Sequence, residues 1–159
     1  MGMTTASAFK QTIYLDLCCY NRPFDEQKQT RVHMETQAKL EVQELAKQGL
    51  VKLVWSYVLD YENSLNPVAS RRQSIDLWRD IAHVKVAGDD AVLETARKIE
   101  HTYSLKSFDA LHVACALASN SHIFITTDDF ILRKMKLDTS IRVVNPIEAL
   151  AILENWYAN

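Results

Sequence analysis

Two rhythms of apolar positions run along this chain. Four short, nearly unbroken apolar runs have the length and branched-residue content of strands buried on both faces: TIYLDL (Thr12–Leu17), LVKLVW (Leu50–Trp55), HIFIT (His122–Thr126) and IRVV (Ile141–Val144). Between them the spacing is helical. A segment rich in Gln, Glu, Lys and Ala spans Glu26–Gln48 and is closed by Gly49, where a left-handed C-terminal residue is expected. Further helices are predicted from Tyr57 to near Asn66-Pro67, over Val68–Val84, Asp89–Tyr103, Ser107–Ser119 and Phe130–Met135, and after Asn145-Pro146. Strands alternating with helices predict a three-layer α/β/α sandwich around a mainly parallel sheet, one domain over residues 1–159 with its core at about 12–150. Sites in such sheets form beyond the carboxyl ends of the strands.

Against this pattern, polar residues at apolar positions stand out. Asp16 interrupts the first strand near its carboxyl end, where an ionised carboxylate without a partner would cost several kcal/mol. On a helical wheel of SYVLDYENSL, Val58, Leu59, Tyr61 and Leu65 cluster with Glu62 among them. Asp60 falls opposite, so Glu62 is the expected inward acid and Asp60 a solvated one. The helix SFDALHVACALAS is apolar almost all round, which predicts burial; Ser107 suits its N-cap and Asp109 its first turn. In IFITTDDF, Asp128 and Asp129 follow the third strand, and either one alone would serve as an N-cap for the next helix.

Singly, each acid has a structural explanation. Together, two strand ends, an inward helical position and a buried helix start belong to one rim of the sheet. Four carboxylates there would repel by about 3 kcal/mol per pair at ~5 Å and an effective dielectric near 20. A divalent cation relieves that repulsion. All-oxygen ligation suits Mg²⁺ or Mn²⁺, and phosphodiester hydrolysis is the chemistry such a site supports.

Composition removes competing classes. With 159 residues, 48% of them hydrophobic, the chain is long enough for one core. Three glycines cannot write a dinucleotide fingerprint or a P-loop. Cys18, Cys19 and Cys115 form no CxxC pair and five histidines lack zinc-ligand spacing, so reduced thiols and no structural zinc are expected. No run long enough to span a membrane is present and MGMTTASAFKQT lacks a leader's apolar stretch, which predicts a cytoplasmic protein. The net charge of −2 hides a balance of +2 once the four acids are set aside, compatible with RNA.

The sequence resembles the PIN domain family and, within it, the VapC-type ribonuclease toxins of toxin-antitoxin pairs. The marks are YLDLCC with Asp16, SYVLDYE with Glu62, SFDALHVACA with Asp109, ITTDDF with Asp128 and the late VVNPIEAL, in that order. The resemblance implies a Mg²⁺- or Mn²⁺-dependent endoribonuclease acting on single-stranded RNA, often a homodimer and inhibited by an antitoxin protein. Asp16, Asp109 and Asp128 would be principal metal ligands, and Glu62 a ligand or general base. Thr126 and Thr127 would orient a carboxylate or a water, with Asp129 capping the helix or supporting the site.

Cys18 departs from the Asn or Ser common two residues after the first acid, and a thiol is a poor partner for a hard metal. Asn21 and Arg22, in the NRPFD loop, are candidates for a polar contact to substrate or for shaping the loop with Pro23. Arg71, Arg72, Arg133, Lys134 and Lys136 are candidate phosphate contacts or solvated faces. His112, one turn after Asp109, reads as a hydrogen-bonded core histidine, with proton transfer or a supporting bond as the alternative. Trp55, Trp78 and Trp156 read as core or interface packing. Two other classes are a non-catalytic PIN-like module that binds RNA or protein, and a phosphoacceptor receiver domain, which would want a lysine where Asn145 precedes Pro146.

Overall fold

Apolar runs with no polar face can pair only in a sheet covered on both sides, and that is the arrangement found. The computed structural model describes residues 10–158; the opening segment read above for a leader lies largely outside the described residues. Strands β1 (Thr12–Leu15), β2 (Lys52–Ser56), β3 (Val84–Val86), β4 (Ile123–Ile125) and β5 (Arg142–Val144) form one sheet. All pairs are parallel, in the order β3-β2-β1-β4-β5. A receiver domain would have the flavodoxin-like 2-1-3-4-5 order, so the topology removes that alternative.

Eight helices flank the sheet among the described residues: α1 (Leu17–Asn21), α2 (Thr30–Lys47), α3 (Tyr57–Ser64), α4 (Ala69–Ile81), α5 (Asp90–Tyr103), α6 (Ser107–Ala118), α7 (Asp129–Lys134) and α8 (Pro146–Leu153). From β1 the chain steps to β2 and β3 on one side, then crosses back to β4 and β5. Right-handed crossovers therefore place α2 and the α5–α6 pair on opposite faces. Helix α2 packs on α8, and α5 on α6. The sandwich inferred from the sequence is the fold of the protein. No helix among the described residues is long and apolar enough to cross a membrane.

Three elements depart from the sequence reading. β3 falls at the end of the run assigned to a helix over Val68–Val84; it is a three-residue edge strand, only partly buried, too short to show a period. The first strand stops at Leu15, because Asp16 caps α1 and turns the chain. The NRPFD loop is partly ordered as a 3-10 turn over Arg22–Phe24. Gly49 does close α2 at φ 75°, with the Leu50 N–H donating to the Leu45 carbonyl and Gly49 N–H to Ala46.

α2 buries a polar stripe. Glu35, Lys39 and Gln43 lie one turn apart with almost no exposure. Glu35 is paired with Arg22 at 2.6 Å and Arg31 at 3.2 Å. The Lys39 ammonium sits 5.6 Å from the centre of the Tyr20 ring. Burial pulls its pKa down from 10.5 to about 8, Cys19 opposing the shift. Between those values the unfolded chain binds a proton that the fold does not, so stability rises with pH through that window. Lys39→Met is therefore expected to stabilise the protein at pH 7 by about 1–3 kcal/mol. In paired urea melts the gap between variant and wild type should shrink as pH rises from 8 toward 10; a gap independent of pH would contradict the assignment.

Candidate active site

β1 and β4 are neighbours at the middle of the sheet, yet the chain leaves β1 for one side and β4 for the other. The gap beyond their carboxyl ends is thus the switch point at which open α/β sheets hold ligands. Asp16 lies directly after β1, and Thr126, Thr127 and Asp128 directly after β4.

Asp16 is 6% exposed and is held by hydrogen-bond donors. Its Oδ1 accepts from the Leu17 N–H at 2.8 Å and its Oδ2 from the Thr126 hydroxyl at 2.9 Å, with the Cys18 thiol 3.4 Å away. Thr126 Oγ1 in turn accepts from the Asp128 N–H at 3.1 Å. One buried hydroxyl therefore joins the first and fourth acids across the switch point. Cys18 lies against Asp16 and Thr126 and accepts from the Thr127 N–H at 3.4 Å, a packing and hydrogen-bonding position. The contacts of Thr127 at the site run through its main chain, whose carbonyl accepts from Arg31.

Glu62 approaches from α3. Its Oε1 lies 2.5 Å from His112 Nε2, and His112, wholly buried on α6, has Nδ1 2.6 Å from the Tyr14 hydroxyl. Tyr14 continues to Ser56 at 2.6 Å, and Ser56 Oγ accepts from the Leu59 N–H as the N-cap of α3. Burial opposes charge on His112, but the bond to Glu62 and the nearby Asp16 and Asp109 outweigh it and raise its pKa. His112 is a hydrogen-bonded core histidine that also touches the site.

Asp109, in the first turn of α6, is half-buried and has its pKa raised to about 6. Burial is the largest cause, followed by the charges of Asp16, Asp128 and Glu62, with His112 opposing. The four acids thus share one electrostatic field. Asp16, Glu62 and His112 bring ligand atoms within 4.8 Å of one another, a tighter group than all four carboxylates make. Oxygen donors from Asp16 and Glu62, with two further carboxylates in the same field, fit a hard divalent cation.

Several residues do other work than the sequence suggested. Asp128, not Asp129, caps α7: its Oδ1 accepts from the N–H groups of Phe130 and Ile131 at 2.8 and 3.2 Å. Asp129 instead takes both arms of Arg31, at 2.7 and 2.9 Å, which holds its carboxyl below the usual range and ties it to α2. On α3, Tyr61 and Leu65 are exposed and Asn63 is buried, so the wheel's apolar cluster was misplaced. Asp60 is not merely solvated, since Trp55 Nε1 and Arg79 bond it at 2.8 and 2.9 Å. Lys106, not Ser107, is the N-cap of α6.

The candidate substrate contacts fall into two groups. Arg22 is occupied by Glu35 and Asp25, and Arg72 by the Asn66 carbonyl at 2.6 Å. Asn21 accepts from Asn66 at 3.4 Å and, with Arg71, Asp25 and Leu17, lines an open depression of about 310 Å³ beside Glu62. Arg71 lies over Phe24. Arg133 and Lys134 flank the ring of Phe130, two residues after Asp128. Sequence reasoning missed Arg31, Tyr14 and Ser56; the one available signal was a tyrosine in a buried strand, whose hydroxyl requires a partner.

Comparison with known proteins bears on the family and the fold. Residues 13–145 match the family model of the PIN domain. The fold is similar to that of FitAcB from Neisseria gonorrhoeae, with a TM-score of 0.55, 18% identity, and coverage of 84% of this chain and 97% of that one. It is also similar to VapBC2 from Rickettsia felis, solved bound to a DNA fragment from their promoter, with a TM-score of 0.54, 14% identity, and coverage of 85% and 98%. No curated protein matches the sequence.

The raised pKa of Asp109 has a consequence for stability. A carboxyl shifted upward favours the fold fully below its unfolded pKa of 3.8 and loses that contribution as pH rises through about 6. In metal-free protein at pH 7.5, Asp109→Asn should raise the melting temperature by roughly 2–4 °C, about 1 kcal/mol after allowing for solvent screening. At pH 4 calorimetry should find almost no gain. Equal gains at both pH values would show that the charge on Asp109 is not the cause.

Proposed function

The chain belongs to the PIN domain family, and we propose that it is a Mg²⁺- or Mn²⁺-dependent endoribonuclease that hydrolyses phosphodiester bonds of single-stranded RNA. Nucleases are the general case in this family. The observation that supports the reading is that Asp109, raised to about 6 first by its burial, also feels the charges of Asp16, Asp128 and Glu62 at the β1–β4 switch point.

Asp16, Asp109 and Asp128 are the residues to hold a divalent cation, and Glu62 is a further ligand or the general base. When bound, such a cation would offset the carboxylate charge and polarise the scissile phosphate. The chain's own groups supply the rest. Thr126 and the Leu17 N–H fix both oxygens of Asp16. Glu62 has one oxygen engaged by His112 and the other available to orient a water and accept its proton. Phe130, with Arg133 and Lys134 against its ring, supports a role in RNA contact: an aromatic face for a base beside cations for phosphates. Arg71 and Asn21, beside Glu62, extend that surface. Arg22 and Arg72 are better explained as internal ties. A cytoplasmic location, a homodimer and inhibition by an antitoxin-type protein complete the proposal.

The test uses purified protein and a panel of single-stranded RNAs. Wild type should cleave with Mn²⁺ and stop with EDTA. Asp16→Asn and Asp109→Asn should each lose at least about 100-fold in rate, more than the roughly 10–100-fold typical of groups that only support ligands. Cleavage that survives EDTA, or either substitution, would refute the metal mechanism. A wild type that binds RNA without cutting any of the panel would make the protein a non-catalytic binding module.

A further inference from the structure

The buried chain Ser56–Tyr14–His112–Glu62 links the two faces of the site in a way its acids alone do not require. Each member comes from a different element: Ser56 ends β2 and caps α3, Tyr14 lies in β1, His112 in α6 and Glu62 in α3. Ser56, Tyr14 and His112 are each at most 1% exposed, so water cannot replace a missing partner. Consecutive links measure 2.6, 2.6 and 2.5 Å. The chain returns to the helix on which it began, because Ser56 caps α3 at the Leu59 N–H and Glu62 lies within the next turn.

We propose that His112 is a positioning residue that sets the orientation of the Glu62 carboxylate, and this inference rests on the nuclease reading above. The donor count supports it. Glu62, as a carboxylate, only accepts, so Nε2 carries the hydrogen that Oε1 receives. In the neutral ring Nδ1 is then the acceptor, and the Tyr14 hydroxyl donates to it while accepting from Ser56; in the charged ring Nδ1 donates to Tyr14 and Tyr14 to Ser56, with the Nε2–H bond to Oε1 unchanged. Every donor has one acceptor and no lone pair on the ring is left for a cation. Nε2 also lies 3.8 Å from Asp16 Oδ1, so the imidazole stands between the first and second acids. With one lone pair of Oε1 engaged, Oε2 is the oxygen of Glu62 that faces no such bond and is the freer of the two for a cation or a water. His112 thereby decides which oxygen of Glu62 serves the site, and Tyr14 and Ser56 lock the ring that makes the decision. The group of three ligand atoms around Asp16, Glu62 and His112 is on this account two ligands and one support.

The experiment measures Mn²⁺ affinity by the free-ion electron paramagnetic resonance signal, for wild type, His112→Leu, His112→Gln and Tyr14→Phe, each checked for folding by circular dichroism. His112→Leu removes the donor and should weaken Mn²⁺ binding by roughly 10–100-fold, as loss of a partner behind a ligand does. His112→Gln keeps an N–H near the same point and should recover most of that loss. If His112→Leu does not fold, Tyr14→Phe, which frees the ring, should still weaken binding in the same direction. Pulsed resonance on the Mn²⁺-loaded wild type should find no directly bound imidazole nitrogen. Unchanged affinity in His112→Leu, no recovery in His112→Gln, or a bound imidazole nitrogen would each overturn the proposal. The protonation of the ring is read separately from ¹⁵N couplings of the metal-free protein, where a hydrogen must be on Nε2; a ring with hydrogen on Nδ1 alone would refute the chain. A wild type that binds no Mn²⁺ sinks the nuclease reading, while the ring's protonation still decides the hydrogen-bond chain.

Discussion

Like charges held close together at the mouth between β1 and β4 are the constraint on which the rest of this molecule turns. A parallel sheet whose chain reverses direction there delivers two strand ends side by side, with Asp16 directly after one and Asp128 three residues after the other. Helix α3 carries Glu62, and the first turn of α6 carries Asp109, whose pKa registers the charges of the other three acids. Such an arrangement opposes folding wherever it is not compensated. The fold compensates Asp16 with hydrogen-bond donors and Glu62 with a buried imidazole, and leaves Asp109 raised toward neutrality.

The same logic explains why charges around the rim are occupied. Asp128 spends one oxygen on the first turn of α7, where backbone N–H groups favour an anion. Asp129, its neighbour, is drawn off by Arg31, which also braces Glu35 and the Thr127 carbonyl. One guanidinium thus fixes the segment that carries Asp128 to the buried side of α2. Arg22 closes the other side of Glu35. These arginines belong to the scaffold, whereas Arg133 and Lys134, laid along an exposed aromatic ring, face outward.

Much of the frame was legible in the sequence because its strands are buried on both faces and its helices end at recognisable caps. Gly49 and Asn145-Pro146 marked true boundaries. β3 was not legible, since three residues at a sheet edge carry no period and their hydrogen bonds come from β2. Asp16 was legible as a polar break in an apolar run. Glu62 was placed inward by a faulty argument: the exposed Tyr61 stacks on Phe108, and what draws Glu62 inward is His112, fifty residues away. The division of labour between Asp128 and Asp129 turns on Arg31, which no local pattern connects to either. Contacts of that range are tertiary facts, and only the demand that a buried hydroxyl such as Tyr14 find a partner hinted at them.

The claim that a cation relieves repulsion among these acids is tested most directly by the Asp109 carboxyl itself, followed by carbon-13 resonance across a pH titration. In metal-free protein it should titrate near pH 6, as its burial and neighbours require. With saturating Mg²⁺ its midpoint should fall below that of an ordinary carboxylate. A midpoint that stays near 6 with the cation present would contradict the account.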